Sequence, residues 1–224
     1  MPDICYVDRI KMGRAKAELT ESSGGSKIKA EGDEVSLEYQ RYGRNKDTII
    51  NHTYINSGEY RSKFDRITDN ISTNRILYNK AKEMLVHRSG TKYEDMYWID
   101  GESGEIIASA LDEQQESAVK CTDAIKKAII GKENVIAFHT HPSSMPPSAA
   151  DFNSMLINGY SKAFILCHNG VIIQYVSNQE ISETLYFRYV QRYIIEGYSE
   201  FEAQWKALEK LKENYDIDFW EVLP

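Results

Sequence analysis

Apolar and polar positions are spread unevenly along the chain, and their spacing changes character near Gly58. Residues 1–58 are polar and poorly periodic, contain the loop-like run Glu21-Ser22-Ser23-Gly24-Gly25-Ser26, and offer few large aliphatic side chains to offset the entropy of ordering. This pattern predicts an extended arm. From Asn74 to His87 the apolar residues Leu77, Ala81, Met84 and Leu85 share one helical face, with Ser72 or Thr73 as cap. Two strand-like runs follow, Met96-Tyr97-Trp98-Ile99-Asp100 and Glu105-Ile106-Ile107-Ala108-Ser109, around the turn Gly101-Glu102-Ser103-Gly104. They predict a hairpin that opens a meander. Residues 112–130 place Ala118, Cys121, Ile125 and Ile129 at helical spacing and end at Gly131, which suits a C-cap.

Val135-Ile136-Ala137-Phe138 reads as a short buried strand, Ala149 to Asn158 as a helix. Phe164-Ile165-Leu166-Cys167 and Val171-Ile172-Ile173-Gln174-Tyr175 form a second hairpin around His168-Asn169-Gly170. The stretch from Ile181 to Asn214 is helical in pattern and rich in aromatic residues. Three parts are expected: the arm to residue 58, a domain over 59–178, and a helical extension over 179–224 packed on that domain. The fold class is α/β of the α+β kind, a curved mixed β-sheet flanked by helices.

Composition narrows the function classes. The 224 residues are 42% hydrophobic and 11% aromatic, enough for one core and too few for a second full domain. A formal net charge of −7, from 27 basic and 34 acidic residues, gives no electrostatic footprint for nucleic acid. Cys5, Cys121 and Cys167 are too few and too widely spaced for a disulfide framework or a cysteine cage, so a reducing cytoplasm is the expected compartment. No run approaches the ~20 apolar residues that span a bilayer, and neither a membrane partner nor a signal peptide is expected.

The chemistry concentrates in the segment from Val135 to Asp151, where His139 and His141 stand two apart at the end of an apolar strand. Side chains at i and i+2 of a strand share a face, so both imidazoles can reach one ion at roughly 2.0–2.1 Å. Pro142 stops the strand, Pro146 and Pro147 stiffen the loop, and Ser148 and Asp151 open the next helix. Ser148-Ala149-Ala150-Asp151 also fits a capping box, and the two roles are compatible. Two nitrogens and one carboxylate leave a fourth tetrahedral position for water, the arrangement of a catalytic zinc.

This constellation resembles the JAMM, or MPN-plus, metallopeptidases, whose motif is an upstream glutamate, then His-x-His-Pro, a loop, and Ser-x-x-Asp. The resemblance covers roughly residues 74–176 and implies the cytidine-deaminase-like JAB/MPN fold. It implies that His139, His141 and Asp151 bind Zn2+, that Ser148 stabilises an oxyanion, and that a glutamate is the general base in hydrolysis of a peptide or isopeptide bond. Six residues separate His141 from Ser148, where the family usually has seven. For the base, Glu83, Glu94, Glu102, Glu105, Glu113 and Glu116 are available. By the family's pattern the base follows the first long helix and precedes the first strand, which selects Glu94, with Asp95 as runner-up because a one-residue slip exchanges the faces. Glu102 and Glu105 read as a solvated acidic turn.

Other candidates carry less. His168 reads as a solvated turn residue, His52 and His87 have no partners at useful spacing, and Cys121 reads as core. Cys167 and His168 are adjacent in a strand and face opposite ways, which argues against a nucleophile pair. A zinc deaminase would need Pro-Cys-x-x-Cys, which the chain lacks. The segments Ile55-Asn56-Ser57-Gly58-Glu59-Tyr60-Arg61 and His87 to Trp98 resemble regions attached to phage minor head proteins, which implies a prophage or virion-associated role. The implied partners are a protein or peptide substrate, a ubiquitin-like conjugate or a phage structural protein; the alternative function is a non-catalytic assembly scaffold of the same fold.

Overall fold

The structure is a computed structural model that describes residues 49–112, 114 and 119–224. Both expected hairpins are present. Strands β1 (Met96–Asp100) and β2 (Ile106–Ala110) form the first, closed where the Asp100 carboxylate accepts from the Ser103 and Glu102 amides at 2.7 and 3.1 Å. Strands β4 (Lys162–Cys167) and β5 (Ile172–Ser177) form the second. Between them lies β3 (Val135–His141), which continues three residues beyond the apolar run that announces it. The six strands are ordered β2-β1-β3-β4-β5-β6, with β6 at Ile217–Glu221. All neighbours are antiparallel except β3 and β4, whose parallel pairing is joined by a helical crossover.

Alternation along the strands divides the core into two layers. Val135 and Ala137 of β3, with Met96 and Trp98 of β1, face one side; Ile136 and Phe138, with Tyr97 and Ile99, face the other. The first face is covered by α4 (Asp123–Ile129), α5 (Ala149–Asn158), α6 (Glu183–Ile195) and α7 (Glu200–Lys212). The second is covered by α1 (His52–Ile55), α2 (Gly58–Ser62) and α3 (Ile71–Arg88). The protein is therefore a mixed α+β structure with a six-stranded mixed sheet flanked by helices. Among the described residues no helix is long and apolar enough to cross a membrane.

Several expectations need correction. Helix α3 starts at Ile71, with Asn70 as its cap in place of Ser72 or Thr73: the Asn70 side chain accepts from the amides of both those residues, at 2.9 and 3.3 Å. Ile71 is 68% exposed, so apolar spacing could not mark this first turn. The expected helix over 112–130 is reduced to α4, capped by Thr122; positions 113 and 115–118 lie outside the described residues. The expected arm ends earlier than residue 58. Positions 1–48 lie outside the described residues, but Ile50 and Ile55 are 4% and 1% exposed and pack with Tyr60 and Phe64 beneath the sheet.

The C-terminal extension is more than helical. Gly197, at φ +97, separates α6 from α7, and the chain then returns as β6 to pair with β5. Phe219 of β6 meets Trp205 of α7 edge-on at 4.8 Å and Phe152 of α5 at 6.4 Å, so the edge strand is locked into the same core layer as the crossover helix. Phe219→Ala is expected to lower unfolding stability by about 3–5 kcal/mol in a denaturant titration. A loss under about 1 kcal/mol would show that β6 is not an integral strand.

Candidate metal centre

Continuing the alternation of β3 past Ala137 puts His139 and His141 on the side covered by α5, the helix that begins at Ala149. Both rings are buried, and their Nε2 atoms lie 3.0 Å apart. Asp151 reaches them from the first turn of α5, with Oδ1 3.2 Å from His139 Nε2 and Oδ2 3.9 Å from His141 Nε2. One atom from each of the three residues lies within 4.8 Å of the others. Ligands of a tetrahedral ion held at roughly 2.0–2.1 Å stand about 3.3 Å apart, which these spacings approach. The group can hold a metal ion.

Hydrogen bonding fits that use. His141 Nδ1 lies 2.8 Å from the Met145 carbonyl, which can only accept, so Nδ1 carries a proton and Nε2 is the ring atom that could face a metal ion. Asp151 is held by the capping box: Oδ2 accepts from the Ser148 amide at 2.6 Å and from its hydroxyl at 2.8 Å, while the Asp151 amide donates back to Ser148 Oγ at 3.3 Å. Oδ1 is thereby directed at His139. Ser148 spends its single hydroxyl proton on Asp151, so donating to a substrate would require that bond to be exchanged.

The six-residue loop is long enough. Ser144 adopts a left-handed backbone at φ 55, its amide donates to the His141 carbonyl at 2.9 Å, and its hydroxyl accepts from the Asn169 amide at 3.1 Å. This turn carries Met145 back over the ligands and ties the loop to the β4–β5 hairpin.

The two candidates for the base are separated by face. Met96 is the register partner of His139, and the Thr140 amide donates to the Asp95 carbonyl at 3.0 Å, so the backbone at Glu94 comes level with His141 just beyond the end of regular pairing. Glu94 is fully buried and is not part of the three-residue ligand group. Asp95 points to the α3 side, where Arg88 Nε and His87 Nδ1 engage its two oxygens at 2.5 and 2.7 Å. Burial pushes the Asp95 carboxyl up, and the hydrogen bonds from His87 and Arg88 offset part of that rise.

The remaining acidic candidates lie elsewhere. Glu83 bonds Lys80 and the Tyr97 hydroxyl, both at 2.7 Å, while Glu102 and Glu105 are exposed at the hairpin; Glu113 and Glu116 lie outside the described residues. Two histidine readings are corrected. His168 is buried, and α1, assigned from sequence to the arm, packs on its turn: Tyr54 lies so close to Gly170, at φ +87, that a Cβ there would stand 2.5 Å from the ring. His87 does have a partner, Asp95. Sequence patterning does not reveal Arg88 or the Met145 carbonyl, since neither contact has a short-range spacing signature. No family model matches the chain, and no curated protein or solved structure matches it.

The ligand set makes two measurable demands. The protein should bind about one equivalent of a divalent transition metal by elemental analysis, and His139→Ala with His141→Ala should abolish binding; full retention in the double variant would refute the assignment. Ser148→Ala removes one support of Asp151 and the cap of α5. It is expected to weaken metal binding about 10–100-fold and to cost about 1 kcal/mol of stability, read by chelator competition and thermal melting.

Proposed function

We propose that the protein is a zinc-dependent peptidase or isopeptidase of the JAMM type, built on the JAB/MPN variant of the α+β architecture. One observation carries the reading: His139, His141 and Asp151 converge, all buried, from a strand end and a helix start, while the fully buried Glu94 stands just before β1, the strand paired with the one that carries both histidines. Two imidazoles with one carboxylate match zinc better than calcium or magnesium, which prefer all-oxygen sites. When bound, the ion supplies Lewis-acid activation of a water and of the scissile carbonyl.

The chain's own residues supply the rest. Glu94, fully buried just before β1, accepts a proton from the attacking water and passes it to the leaving amine. Ser148 donates to the developing oxyanion once its hydroxyl is exchanged from Asp151. Met145, through its carbonyl, keeps the His141 tautomer fixed while these protons move. An amide bond fits all of these roles, which makes a protein or peptide the substrate, with ubiquitin-like conjugates and phage structural proteins as the two sources to assay. The competing reading, a scaffold that binds the ion without turnover, is favoured by the commitment of the Ser148 proton to Asp151.

Glu94→Gln tests the enzyme reading, since it preserves size and hydrogen bonding but removes the base. Zinc content and fold should persist while turnover falls about 10²–10⁴-fold. Asp151→Asn should instead lower zinc affinity. Unchanged hydrolysis in Glu94→Gln would dismiss Glu94 as the base, and a zinc-loaded wild type inert toward every amide substrate would support the scaffold.

A further inference from the structure

Glu94 stands one residue beyond the point where regular pairing between β1 and β3 ends. At that point the Thr140 amide donates to the Asp95 carbonyl at 3.0 Å, but the Asp95 amide donates to the Thr140 hydroxyl at 2.9 Å. A side chain has replaced a backbone acceptor, and the ladder alone does not fix the direction of the next side chain. The adjacent side chain is fixed on the opposite face. Asp95 is fully buried and holds Arg88 Nε at 2.5 Å, and Arg88, the last residue of α3, also donates to the carbonyl of Leu111, just past β2. Arg88 further supports the turn into β1, its carbonyl accepting from the Thr91 amide and hydroxyl at 3.0 and 2.9 Å and its guanidinium lying 5.7 Å from the Tyr93 ring centre.

We propose that Arg88, acting through Asp95, is the positioning residue that turns Glu94 toward the metal ligands; the functional part of this inference rests on the reading of Glu94 as the base. Consecutive side chains of an extended segment point to opposite faces, so anchoring Asp95 on the α3 side commits Glu94 to the other. A slip that moved Asp95 into the place of Glu94 would set Met96 against the buried guanidinium and leave it without a carboxylate, an arrangement that buried charges strongly resist. The sheet thus selects between two adjacent acidic residues by giving one of them a cation.

Lysine keeps the charge of Arg88 but cannot span Asp95 and Leu111 with a planar fork, so Arg88→Lys is the informative variant. Hydrogen exchange at the Asp95 and Thr140 amides should speed up about 10-fold or more, while amides of residues 135–138 in β3 keep their wild-type rates. In protein loaded with Co2+, the visible absorption spectrum of Arg88→Lys should move toward that of Glu94→Gln. Wild-type exchange at both amides in Arg88→Lys would overturn the positioning role, as would a wild-type cobalt spectrum in that variant when Glu94→Gln shifts it. If exchange accelerates but Glu94→Gln itself leaves the spectrum and turnover unchanged, the anchoring by Arg88 stands and the assignment of Glu94 as base fails.

Discussion

The two-residue repeat of β3 is the constraint on which the rest of the structure depends. Val135, Ala137, His139 and His141 take one face and Ile136, Phe138 and Thr140 the other, so a single seven-residue strand supplies core to both layers and two candidate ligands to one of them. Its neighbours inherit the division. The parallel partner β4 sets Ile165 beside His139 and Cys167 beside His141, and antiparallel β1 sets Met96 opposite His139. A slip of β3 by one residue against these neighbours would turn Thr140 toward α5 and both imidazoles away from it. Phe138 stacks on Phe164 at 4.7 Å on the far face, which makes such a shift costly well away from the site.

The range of each interaction decides whether the sequence reveals it. His139, His141, Ser148 and Asp151 lie within thirteen residues, and their convergence needs only strand alternation, a proline stop and a capping box, all of them local rules. Both hairpins and the Ala149–Asn158 helix are legible for the same reason. The choice between Glu94 and Asp95 is not, because it depends on where Arg88 and Thr140 lie in space. Strand β6 escapes notice because a five-residue edge strand after two amphipathic helices has weak periodicity, and its apolar residues Ile217 and Phe219 gain their meaning from β5 and Trp205. The contact on the turn at Gly170 likewise comes from the segment around Tyr54, whose polar composition conceals two short helices.

Buried charge shows why the two adjacent acidic residues have different fates. Asp95 and Glu94 are both fully buried, and an ionised carboxylate in such a place needs compensation. Asp95 finds it inside the protein, in a guanidinium that three elements share. Asp151 meets a hydroxyl, a backbone amide and two imidazoles, groups that orient a carboxylate without supplying a permanent positive charge. A divalent ion among His139, His141 and Asp151 would supply that charge, and it would replace the close approach of two Nε2 atoms with shared coordination. On the α3 side a buried carboxylate meets its own guanidinium, whereas on the α5 side Asp151 lies between two imidazoles in a group that could hold a metal ion. That asymmetry, generated by one residue of strand register, is the strongest physical argument that the cluster could hold a metal ion.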